Sequence, residues 1–135
     1  MKKKMIIAIA AISISSCAVL DAYLIPKYDP MEYQIITSIS ALAEISISQC
    51  NNPNNIKKFS DDLLLKATEF KNYTAIYPNN TDAVQMSTNL LSEIKGLSLR
   101  YNSDIPVSAT YCKEKITLIE HSAKNIQTVL GAKSK

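Results

Sequence analysis

Apolar residues recur at helical spacing in four stretches, separated by polar breaks. The last stretch is the most regular. Ala109, Cys112, Ile116, Ile119, Ala123, Ile126 and Leu130 step by 3, 4, 3, 4, 3 and 4, which keeps them on one face of an α-helix, the a/d seam of a bundle. The first stretch carries Tyr33, Ile36, Ser40, Ala43, Ile47 and Cys50, widened by Ile35, Ile39 and Leu42. The second carries Ile56, Phe59, Leu63, Ala67, Phe70 and Tyr77, with Lys57, Lys58, Asp61, Asp62, Lys66 and Glu69 mostly opposite. The third carries Ala83, Met86, Leu90, Ile94, Leu97 and Tyr101. Each pattern predicts an amphipathic helix.

The breaks are Asn51-Asn52-Pro53-Asn54-Asn55, Pro78-Asn79-Asn80 and Asn102-Ser103-Asp104-Ile105-Pro106, rich in residues that favour turns. The first helix has a capping-box start, with Asp29 as cap, Pro30 at N1 and Glu32 at N3. Thr81 with Asp82 caps the third. Gly96 sits inside the third helix, at a cost of about 1 kcal/mol relative to Ala, and predicts a close approach of another helix. Gly131 supplies a C′ stop for the fourth. Helices of roughly twenty to twenty-five residues are about 30–37 Å long. Short loops between them favour antiparallel neighbours. The expected fold is all-α, an up-down-up-down four-helix bundle over residues 29–135. The four stretches share no signature residues, so no solenoid repeat is present.

Composition agrees with helices. There are two glycines and no Trp in 135 residues. The net charge of +3 is misleading, because Lys2, Lys3 and Lys4 supply three positives ahead of an apolar run, Met5 to Ile12. Without residues 1–16 the remaining 119 residues carry 12 basic and 12 acidic side chains. A neutral surface argues against nucleic acid, which needs a clustered basic face.

The first residues have the layout of a secretory signal: a basic start, a short apolar run and small residues before Cys17. The segment from Met5 to Leu20 is interrupted by Ser13, Ser15 and Ser16 and closed by Asp21. A spanning helix needs about twenty apolar residues. An ordinary cleaved signal and an uncleaved anchor are the alternatives. Ile14-Ser15-Ser16-Cys17 resembles the lipobox of bacterial lipoproteins. That resemblance implies removal of residues 1–16, lipidation of Cys17, and a tether over 17–28 leading to the bundle. Ala18 rather than Asp follows the cysteine, which by the same resemblance implies sorting to the outer membrane. The size, the Tyr28-Asp29-Pro30-x-Glu32-Tyr33 opening and the two further cysteines also look like small lipoproteins carried by phages and prophages of Gram-negative bacteria.

With Cys17 assigned to lipid, Cys50 and Cys112 form an even pair in an oxidising periplasm. In the expected bundle the first helix ends where the fourth begins. Cys50 then lies beside Cys112, placed about two turns into the fourth helix. A disulfide follows. The alternative is two buried free thiols.

Catalytic chemistry is sparse. His121 is the only histidine and falls on the solvent face. Asp61 and Asp62 are adjacent and diverge on a helix. Neither a Gly-rich phosphate loop nor Gly-x-Ser-x-Gly occurs. Two glycosylation sequons, at Asn72 and Asn79, carry no such meaning in a bacterial lipoprotein. No catalytic residue, metal ligand or cofactor is expected. Tyr33, Tyr73 and Tyr77 fall at one end of the bundle, with Tyr23 and Tyr28 in the tether beside them. They are candidate interface residues toward the bilayer or a partner. The alternative is that Tyr73 and Tyr77 cap the core with their hydroxyls in water. The expected function is a lipid-anchored, non-enzymatic binding or regulatory module of the cell envelope, excluding or inhibiting an envelope protein. A structural subunit of an envelope or lysis complex is the alternative, and a cell-wall hydrolase comes last.

Overall fold

A computed structural model describes residues 27–133. The signal-like segment, Cys17 and most of the tether, including Tyr23, lie outside the described residues. Four helices follow in order: α1 Pro30–Ile47, α2 Pro53–Thr74, α3 Thr81–Tyr101 and α4 Ala109–Gly131. Among the described residues there are no strands. α1 packs on α4 and α2, and α3 packs on α2 and α4, so the four form a ring without diagonal pairs. Tyr33 at the start of α1 meets Gln127 and Gly131 at the end of α4. Cys50, beyond the end of α1, meets Cys112 at the start of α4. The order is therefore up-down-up-down, as the short loops require.

The apolar stripes converge on one core. Ile36, Ile39, Ile56, Leu63, Phe70, Leu90, Ile94, Leu97, Ile116, Ile119 and Leu130 are fully buried, each contributing roughly 1.5–3 kcal/mol by leaving water. Tyr33, Ile47, Phe59, Met86 and Tyr101 line the rim of that core, half-buried. Serines share the interior, and beyond Ser40 the apolar pattern does not reveal them. Ser46 donates to the Leu42 carbonyl at 2.6 Å, and the Ser87 hydroxyl lies 2.9 Å from that of Thr74. Such bonds, one within α1 and one between α2 and α3, satisfy hydroxyls that would otherwise be costly to bury.

Several local expectations are corrected. Asp29 caps α1, accepting from the Met31 N–H at 2.8 Å and the Glu32 N–H at 3.0 Å. Glu32 does not reach back to complete a capping box. Its side chain turns inward and is buried. α3 is preceded by Asn80, not capped by Thr81 or Asp82, and Asn80 makes no side-chain cap. α2 ends at Thr74, so Tyr77 belongs to the following loop. Cys112 lies in the first turn of α4 rather than two turns in. Neither glycine has the role expected of it. Gly96 faces open space, with nothing within 4 Å of a Cβ placed there. Gly131 is the last helical residue with an ordinary φ, and a Cβ there would meet Tyr33 at 3.1 Å. The close approach is therefore at Gly131, between α4 and the Tyr33 ring.

A disulfide joins Cys50 and Cys112, with Cα atoms 5.6 Å apart and a sequence separation of 62. It fastens the end of the bundle opposite Tyr33, Tyr73 and Tyr77, the end where Tyr101 and Tyr111 lie.

Candidate functional site

The end of the bundle where α1 and α3 begin and α2 and α4 finish is a built polar and aromatic cap. Asp29 anchors it. Beyond the two helix N–H groups, its carboxylate accepts from the Tyr73 hydroxyl at 3.2 and 3.1 Å. The Tyr73 and Tyr77 hydroxyls are 3.0 Å apart, and their rings meet edge-on at 5.6 Å. Burial pushes the Asp29 carboxyl up, but donation from the Glu32 and Met31 N–H groups and from both tyrosines outweighs it. The net result lies below the usual 3.8. The hydrogen bond with Tyr77, burial and the facing Asp29 hold the Tyr73 phenol well above 10. Tyr73 is therefore a bonded member of the cap, with its hydroxyl at the exposed edge of the core.

Tyr33 is half-buried as well. Its ring lies against Gly131 and meets the Tyr28 ring at 5.8 Å, and its hydroxyl accepts from the Gln127 amide at 3.3 Å. Beneath this layer sits an ionic cluster. Glu32, 1% exposed, accepts from the Asn80 amide at 2.8 Å and from Lys133 at 2.9 Å. Asn80 also donates to the Thr74 carbonyl at 3.1 Å, and Lys133 reaches the Asn80 carbonyl oxygen at 3.3 Å. Asn79 makes this possible with a left-handed φ of 61°, a conformation Asn tolerates better than most residues. The turn there swings Asn80 inward.

Of the residues singled out in the sequence, Tyr33, Tyr73 and Tyr77 do share this end, with Tyr28 beside them. Tyr77 is 44% exposed, while Tyr33 and Tyr73 are partly covered. The periodicity did not reveal Glu32, Asn80 and Lys133. Glu32 carried a signal, because it lies four residues before Ile36 on the same stripe. Asn80 and Lys133 carried none, since their roles depend on contacts across the bundle. His121 is exposed on α4.

A second feature is a groove of about 270 Å³ between α3 and α4, the helix pair with the least mutual packing. Met86, Leu90, Ile126 and Val129 form its apolar lining, and Asn89, Ser122 and Asn125 its polar lining. Glu93 adds a carboxylate whose Oε2 is enclosed and without a hydrogen-bond partner. This geometry suits an apolar stem ending in a cation. Among the described residues no group of three or more His, Cys, Asp or Glu side chains is arranged to hold a metal ion. Among them, too, no helix is long and apolar enough to cross a membrane. No known family, curated protein or solved structure matches this chain.

Proposed function

We propose that this chain is a small bacterial envelope lipoprotein, acylated on Cys17, whose bundle acts in the periplasm as a non-enzymatic binding or regulatory module. The lipid holds it on the outer membrane. Exclusion or inhibition of an envelope protein is the role this architecture suits, and the opening residues favour a phage or prophage source. The observation that carries the reading is the pairing of Cys50 with Cys112 behind a lysine-rich, apolar start ending in Ile14-Ser15-Ser16-Cys17. Disulfides persist in oxidising compartments, and a lipobox-like start supplies the route there. The α3–α4 groove, with its enclosed Glu93 oxygen, favours a binding module over a purely structural subunit of an envelope or lysis complex. A cell-wall hydrolase role is not proposed, because the reading assigns no nucleophile or acid–base pair.

Acylation by more than one chain anchors firmly, whereas a single chain is marginal. The Cys17→Ser variant should therefore lose processing and membrane retention. A variant processed and retained like the parent chain would overturn the reading.

A further inference from the structure

We infer that the tyrosine end of the bundle is a lipid-contact face that seats in the bilayer interface and stands the bundle upright on the membrane; the inference rests on the lipoprotein reading above. The two ends of the molecule differ in chemistry. The disulfide end is flanked by Asn51, Asn52, Asn54, Asn102, Ser103 and Asp104 and keeps its two tyrosines, Tyr101 and Tyr111, half-buried against the core, with Ile105 the exposed large apolar residue of its loops. At the tyrosine end the loop after α2 presents Ile76, 72% exposed, beside Tyr77 and Pro78, and the first turn of α1 presents Met31, 49% exposed.

A β-branched aliphatic side chain at a loop tip beside tyrosines has the composition of a membrane-interface anchor, an apolar body with polar tips at headgroup level.

The charges behind these residues are already matched. Asp29 is held by two N–H groups and Tyr73, and Glu32 by Asn80 and Lys133. Their satisfaction within the protein lowers the cost of losing water above them. Asp82, in the first turn of α3, is exposed and keeps the α3 edge of this end in water. The occupant follows from where the chain enters. Lys27 lies at this end, just before the α1 cap, and only residues 18–26 separate it from Cys17. That segment includes Val19, Leu20, Tyr23, Leu24 and Ile25, which continue the same apolar character toward the proposed lipid.

The chain has no Trp, so a single introduced indole reports one position. The full-length, processed protein carrying Ile76→Trp is reconstituted into phosphatidylcholine–phosphatidylglycerol vesicles with brominated acyl chains. Leu65→Trp, on an exposed face of α2, is the control. Both sites are exposed, so neither substitution disturbs the core. The expected result is blue-shifted, bromine-quenched emission from Ile76→Trp and water-like, unquenched emission from Leu65→Trp. Unquenched emission from Ile76→Trp in vesicle-bound protein overturns the lipid-contact face and leaves that end free for a protein. Equal quenching of both overturns the upright orientation. The chain from residue 17 onward carrying Cys17→Ser, and so lacking both residues 1–16 and the lipid, is tested alongside and separates the two claims. If it binds vesicles like the parent, the acylation reading fails, and the Ile76→Trp emission still decides the face. Failure of the parent protein to bind vesicles overturns both.

Discussion

At the residue scale, the two glycines give the sharpest contrast. Gly96 sits mid-helix with no neighbour where a Cβ would project. Gly96→Ala should therefore raise stability by about 0.5–1 kcal/mol, through helix propensity and a less flexible unfolded chain. Gly131→Ala, at the last helical position, has a smaller intrinsic gain and meets the Tyr33 ring at 3.1 Å, so it should be the less stable of the two. Thermal unfolding of both variants checks this, and equal gains would contradict the packing described. Asp29 is a second test. Loss of its cap in Asp29→Ala should cost roughly 1 kcal/mol. Its folded pKa is depressed, so its contribution is present above the ordinary carboxylate value and lost as pH falls through the folded value. Stability followed into acid should thus decline less steeply in Asp29→Ala than in the parent. Tyr73 has the opposite sign. Its raised pKa gives a contribution that is full below pH 10 and lost as pH rises through the folded value. Burial also raises the Tyr101 phenol, so ultraviolet titration should show late-ionising phenols, one of which disappears in Tyr73→Phe.

At the scale of elements, the stripes were legible because burial on a helix imposes a spacing that no neighbour can alter. Every buried stripe residue of α4, from Cys112 to Leu130, was predicted from that spacing alone. Caps were less legible. Glu32 stands where a capping box would use it, yet the same position faces the core, and Asn80 and Lys133 compete for its carboxylate. Local sequence describes one use of a side chain, and tertiary contact selects another. Gly96 misled for a related reason: a glycine in a helix signals a close approach only if a partner passes there. The Glu32–Lys133 pair makes a testable claim of its own. Lys133→Met leaves a buried carboxylate with Asn80 as its remaining donor and should cost about 3 kcal/mol. The double variant Glu32→Leu/Lys133→Met removes the charge with its partner and should recover much of that loss. Denaturant unfolding of single and double variants distinguishes this coupling from simple additivity.

At the scale of the whole molecule, a ring of four antiparallel helices is closed at one end by a covalent link and at the other by hydrogen-bonded tyrosines and a buried ion pair. Reduction of Cys50–Cys112 should lower stability by roughly 2–5 kcal/mol. It should leave a helical bundle, because the apolar core does not depend on the link. The topology and the cysteine pairing were legible together, since only a bundle with α1 beside α4 brings positions 50 and 112 within disulfide reach. The groove between α3 and α4 was not, because a loose helix pair has the same periodicity as a tight one. The central claim, an exported bundle hung from Cys17, is tested most directly by the intact mass of the mature protein taken from its native membrane. The predicted mass corresponds to a chain beginning at Cys17, carrying acyl groups there and lacking one hydrogen on each of Cys50 and Cys112. A mass that retains residues 1–16, a Cys17 without lipid, or free thiols at Cys50 and Cys112 would contradict it.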